Sequence, residues 1–160
     1  MALTEQQQAA LAANVANDPA FAELPRNSDG AYAVAQAYNE LASPAFTVWK
    51  TSVHKNEVGK AFVASALAAI TAGNNDKLAN FAAWNETVNP SRLDQRAFFD
   101  DIFSVTAGAS TRAALLALWK RSATRAEKLF ATGTGSDAAP ATMTFEGSLS
   151  YSEVQAALGW

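Results

Sequence analysis

Residues 110–160 read STRAALLALWKRSATRAEKLFATGTGSDAAPATMTFEGSLSYSEVQAALGW, and the way this stretch divides decides the fold. Its first part predicts the longest helix of the chain, from about Ser110 to Thr132. Leu115, Leu118, Trp119, Ser122, Ala126, Leu129 and Phe130 form one stripe at helical spacing, and Lys120, Arg121, Arg125, Glu127 and Lys128 occupy the other sides. A Gly, Ser, Ala and Pro-rich hinge follows from Gly133 to Ala141, where regular structure should stop. TMTFEG alternates as a short strand, with Met143 and Phe145 among its residues. Ser150 and Glu153 then stand three apart as a capping box for a last helix, which Gly159 ends just before Trp160, a candidate anchor.

The rest of the chain is helical by the same reading. Thr4 and Gln7 form a second capping box, opening a helix that stops before Pro19. Tyr32, Val34, Tyr38 and Leu41 mark another, closed by Ser43 and Pro44. FTVWKTSV alternates instead, so residues 46–53 read as a strand or extended arm. A helical pattern runs from Asn56 to Thr71, and Leu78, Phe81, Trp84 and Val88 give the apolar face of the next helix. Asn89 and Pro90 suit the start of a further helix with Leu93, Ala97, Phe98, Ile102 and Phe103 inward. The expectation is a mainly α single domain: a bundle of about six or seven helices over residues 1–132, a small two-stranded β element, and a C-terminal arm over 133–160. The two strands can pair within one chain or exchange between copies.

Composition narrows the function classes. The chain has 160 residues, enough for one ordinary core, and much of its 49% hydrophobic content is alanine, so its Trp, Phe and Tyr residues must supply much of the burial. A net charge of -3 argues against a surface that binds nucleic acid throughout. The absence of cysteine excludes disulfides, thiol nucleophiles and Cys-based zinc sites. No apolar run reaches the roughly eighteen residues of a membrane span, and the N-terminus lacks the pattern of a secretory signal, so the sequence reads as soluble and unprocessed, with no membrane partner.

Candidate chemistry is sparse. His54 is the single histidine and has no second His or Cys with which to share a metal. Asp100 and Asp101 are adjacent, hence about 100° apart on a helix, and read with Asp94 and Arg96 as a solvated side. GTGSDAAP lacks the Lys-Ser/Thr pair of a phosphate loop. Five of the 12 Lys and Arg residues, Arg112, Lys120, Arg121, Arg125 and Lys128, fall in the predicted 110–132 helix. Arg121, Arg125 and Lys128 would lie near one line along it, either as a solvated face or as a surface meeting DNA or an acidic partner.

NPSRLDQRAFFDDIFS, SPAFTVWKTSV and the run from Thr111 to Ala157 resemble small virion-associated or uncharacterised proteins of tailed bacteriophages and prophages. The resemblance spans about residues 1–158 and is strongest from Asn89 onward. Size and helical makeup are similar to head-to-tail connector proteins, the adaptor or head-completion subunits that stack as rings beneath a portal. The resemblance implies a structural rather than enzymatic role in the virion neck, with assembly in the host bacterial cytoplasm and no cofactor. Its implied partners are further copies in a ring, the portal protein, neighbouring neck and tail proteins, and packaged DNA through nonspecific contact. In that reading Gly133, Gly135, Met143, Phe145 and Trp160 belong to an arm that reaches a neighbouring subunit. The alternatives are a tail-completion or capsid-associated protein, and an enzyme of phage DNA metabolism or lysis.

Overall fold

A computed structural model describes residues 2–160. In chain order the elements are α1 (Glu5–Ala16), a 3-10 turn (Pro19–Phe21), α2 (Ser28–Asn39), β1 (Thr47–Trp49), β2 (Val53–His54), α3 (Lys55–Lys60), α4 (Ala64–Ala69), α5 (Ala72–Trp84) and β3 (Thr87–Val88). There follow α6 (Leu93–Ile102), a second 3-10 turn (Thr106–Gly108), α7 (Ala109–Trp119), β4 (Lys120–Ser122), α8 (Arg125–Phe130), β5 (Ala131–Thr132), β6 (Thr142–Met143) and α9 (Tyr151–Leu158). The protein is mainly α, 57% helical, with nine α-helices among the described residues. Among the described residues the β content is three two-stranded sheets, β1-β4, β2-β3 and β5-β6, with isolated bridges at Leu41–Thr124 and Val48–Ala141.

The chain divides into two compact units. The first takes the two ends of the chain, up to Val48 and from Ser122 onward; the second is the continuous stretch Trp49–Arg121. In the first unit α1 and α2 both pack against α9, and Leu11, Val34, Tyr38 and Val154 are completely buried. The predicted caps are in place: Thr4 accepts from Gln7 N–H and Ser150 from Glu153 N–H, each as a complete capping box, while Gly159 closes α9 in the left-handed conformation at φ 67.

The second unit has an aromatic core. Phe99 sits at its centre, with ring centroids 5.5 Å from Trp119, 5.4 Å from Phe81 and 5.2 Å from Phe98, all in edge-to-face geometry. Phe62 reaches Phe103 at 5.1 Å. Around these rings lie Val53, Val58, Ala66, Val88, Ile102 and Leu115.

Several predicted elements are corrected. The 110–132 helix is two helices, α7 and α8, separated by β4. The break has a local cause, because Thr124 and Glu127 form a capping box that starts α8 afresh. The freed backbone groups are satisfied across the first unit, where Ala123 N–H donates to the Phe46 carbonyl at 2.9 Å and Ala42 N–H to the Ala123 carbonyl at 3.0 Å. The 56–71 helix divides into α3 and α4, with Val63 N–H turned out to donate to Thr111 Oγ1 at 3.0 Å. Asn89 and Pro90 do not open α6, which begins at Leu93; the Asn89 side chain instead accepts from Ser91 N–H in a turn. Trp84 and Val88 do not share a helical face, since Trp84 ends α5 at 86% exposure and Val88 is buried in β3. Residues 46–53 hold parts of two strands with different partners, so the expected single β element becomes three.

Candidate functional site

The basic residues singled out in the sequence are dispersed by the break at Thr124. Arg121 belongs to β4, and only Arg125 and Lys128 lie on α8, so no single helical line carries all three. Arg125 is the first residue of α8, and its Nη2 forms an ion pair with Asp18 Oδ2. Asp18 is placed by capping the first 3-10 turn, where its Oδ1 accepts from Ala20 N–H at 2.9 Å. The Arg125 guanidinium lies 4.4 Å from the Tyr38 ring centroid and 5.1 Å from that of Phe21, and these rings stack at 5.9 Å. Arg125 therefore acts as a clamp joining α8 to α2 and the 3-10 turn, with its charge already partnered.

Titration behaviour follows from that geometry. The hydrogen bond from Arg125, with the Ala20 N–H second, holds the Asp18 carboxyl below the usual range. Burial pushes the Tyr38 phenol up, and its hydroxyl donates to Asn14 Oδ1. Lys128 stands one turn after Arg125, with its ammonium 5.7 Å from the Phe46 ring and no ion pair among the described residues. Asp18, Arg125 and Lys128 border a cavity of about 690 Å³ together with Asn14, Leu41 and Ser43.

The C-terminal segment lies on its own unit. At φ +65 Gly135 uses a conformation glycine adopts without strain, and a Cβ there would come within 2.1 Å of the Phe46 ring. Thr47 N–H donates to the Gly135 carbonyl at 2.7 Å, and Ala141 N–H to the Thr47 carbonyl at 2.9 Å. Gly133, also at positive φ, approaches Ala141, and Met143 pairs with Ala131 and is buried beside Val48 and Ala123. Phe145 packs edge-on against Phe130 at 5.4 Å, and the half-buried Trp160 joins the same core. The five residues expected in an inter-subunit arm thus all contact their own unit.

Two polar residues hold this segment: Asn39, which carried no signal in the sequence, and Glu127, which was expected on an outer side of the helix and is buried instead. Asn39 bonds Leu149 reciprocally, donating from Nδ2 to its carbonyl at 2.9 Å and accepting its N–H on Oδ1 at 2.7 Å. Glu127 is 2% exposed, and its carboxylate accepts from Thr124 N–H at 2.9 Å and from Gly147 N–H at 3.3 Å. The signal for Glu127 is the T-x-x-E spacing, masked in the sequence by the apolar stripe that runs through it; Asn39 carries no local signal, because its partner is 110 residues away.

The second unit offers a different surface. Val58, Phe62, Leu67, Leu78 and Phe81 border a groove of about 310 Å³ between α3, α4 and α5. At its rim Lys55 Nζ donates to Glu86 Oε1 at 2.8 Å and to the Ala82 carbonyl at 3.2 Å. His54 caps α3, its Nδ1 accepting from Asn56 N–H at 3.2 Å, and its Nε2 lies 3.6 Å from Glu86. Of the acidic pair, Asp101 binds Lys77 at 3.0 Å. Trp84 and Leu93, at 86% and 72%, are the most exposed large apolar side chains of this unit.

Among the described residues no group of three or more His, Asp and Glu side chains could hold a metal ion, and no helix is long and apolar enough to cross a membrane. No known protein family matches the chain, and neither a curated protein nor a solved structure is detectably similar to it.

Proposed function

We propose that the protein is a structural subunit of a tailed bacteriophage, a head-to-tail connector that forms a ring below the portal and continues the DNA channel. The observation that carries this reading is the display of large apolar side chains on both units, Leu41 at 67%, Leu93 at 72% and above all Trp84 at 86% exposed. An isolated exposed leucine is ordinary, but a tryptophan left 86% exposed, on a chain whose core relies on its aromatic residues, is surface suited to coverage by a partner. The resemblance of SPAFTVWKTSV and of the region after Asn89 to small phage virion proteins supports the same role. Heterologous contacts between copies close into a ring by rotation, of about twelve subunits if it follows the portal.

The C-terminal segment takes a different part in this reading from the one its composition suggests. Its strand and helix complete the first unit, so deleting residues 133–160 would remove α9 from the core and report on folding rather than on assembly. Contact with packaged DNA would draw on Lys128 more than on Arg125, which is held by Asp18.

Negative-stain imaging of the purified protein, with mass spectrometry of purified particles of the encoding phage, tests the role. Rings, and the protein present in particles, are expected. A strictly monomeric protein absent from particles would overturn the assignment.

A further inference from the structure

We propose that Trp84 of one copy seats in the groove between α3, α4 and α5 of a second copy. The inference rests on the self-assembling role proposed above and names the contact that would carry it. It starts from α5, a 13-residue helix with no fully buried side chain. Its apolar residues Leu78 and Phe81 are only half-buried, because the groove they border is open. At about 310 Å³ this groove lies at the lower end of the range for ligand pockets, a size that takes one large side chain.

Charge narrows the occupant. Lys55 is the single charged residue on the lining, and its ammonium is engaged by Glu86 and the Ala82 carbonyl. The groove therefore offers no uncompensated charge to an anion and selects a neutral, apolar group. Asn75 adds one polar handle, since its exposed side-chain amide lines the groove without a hydrogen bond among the described residues and can accept an indole N–H.

The same unit supplies such a group. Trp84 does not line the groove of its own chain and stands 86% exposed at the end of α5. A tryptophan removes on the order of 150–250 Å² from water when covered, and buried tryptophans are among the commonest anchors of interfaces. A knob and a hole on distinct patches of one chain join copies head to tail, the arrangement a ring requires.

The test uses the full chain. Trp84→Ala should weaken self-association by at least about 30-fold, measured by light scattering after size-exclusion chromatography, with thermal unfolding unchanged at concentrations where both proteins are monomeric. In parallel, a photoreactive benzoyl-phenylalanine at position 84, in mixed isotope-labelled copies, should crosslink to residues 58–82 of another copy. Self-association indifferent to Trp84→Ala, or crosslinks confined to one chain or lying outside the groove, would overturn the inference. The two readings fail separately. Rings that persist in Trp84→Ala keep the connector role and reject this contact; a closed dimer crosslinked into the groove keeps the contact and rejects the ring. A wild-type chain that stays monomeric rejects this contact, and rejects the connector role as well if the protein is absent from particles.

Discussion

The two units solve the same problem by different means. The first joins helices from opposite ends of the chain, and α1, α2, α8 and α9 each begin with a side-chain cap, from Thr4, Asn27, Thr124 and Ser150. The second folds from one continuous stretch, and three of its helices, α4, α6 and α7, begin without a side-chain cap. Two of these, α6 and α7, carry rings that converge at Phe99, namely Phe98, Phe99 itself and Trp119. Local hydrogen bonding can define a helix whose packing partner is more than a hundred residues away, whereas a cluster of nearby rings can define helices with weak termini.

Deleting the largest ring should give the largest effect. Trp119 is 1% exposed, and Trp119→Ala should cost roughly 3–5 kcal/mol of stability in denaturant unfolding. Hydrogen exchange should show lost protection in α6 and α7 while α1 and α9 keep theirs; simultaneous loss throughout would break the distinction between the units. Trp119→Phe sharpens the point. The indole Nε1 is buried with no hydrogen-bond partner among the described residues, so phenylalanine loses area but also removes an unsatisfied donor, and the variant should lie well above Trp119→Ala in stability.

A cap should matter less than a core ring. Ser150→Ala removes the acceptor for Glu153 N–H and should destabilise the first unit by about 1 kcal/mol. The matched measurement is exchange in α9, which should fray first at its N-terminal turn. An equal effect in α6, which has no side-chain cap, would contradict the contrast drawn between the units.

The smallest effect concerns Asp18, and its sign follows from the depressed carboxyl. Because Arg125 and Ala20 N–H favour the folded carboxylate, its contribution is complete above the unfolded value near about 4 and is lost as pH falls through the lower folded value. Asp18→Asn should therefore be less stable than wild type at neutral pH, and the gap should close on acidification. Parallel acid-unfolding curves of the two proteins would rule out this role for the Asp18–Arg125 pair.

The first unit was the more legible in sequence, and the reason is chemical. T-x-x-Q at Thr4 and S-x-x-E at Ser150 are signals confined to four residues, and both helices begin where these place them. The same signal at Thr124 and Glu127 was hidden by an apolar stripe that continued at helical spacing through Ser122 and Ala126, so one helix was expected where two occur. In the second unit the break after α3 depends on a distant partner, Thr111 Oγ1, which no window of neighbouring residues contains, whereas the late start of α6 follows from the local turn in which Asn89 accepts from Ser91 N–H.

The candidate surfaces divide in the same way. Spacing placed Arg125 and Lys128 on one helix, but not the carboxylate of Asp18, 107 residues from Arg125. Trp84 was expected inward with Leu78 and Phe81; on a helix it is rotated by about 240° from Leu78, and nothing in the described structure folds over it.

By itself the sequence determined the mainly α class, the ends of α1 and α9, and the glycines that let the chain turn, because propensity, capping and backbone sterics act within a few residues. Tertiary structure alone decided that the Gly-rich segment closes back on its own unit, that Arg125 is a partnered clamp, and that Trp84 stands open beside an unfilled apolar groove. Those outcomes depend on which surfaces remain after every buried polar group has found a partner and every available ring has been packed, a condition set by the whole chain at once.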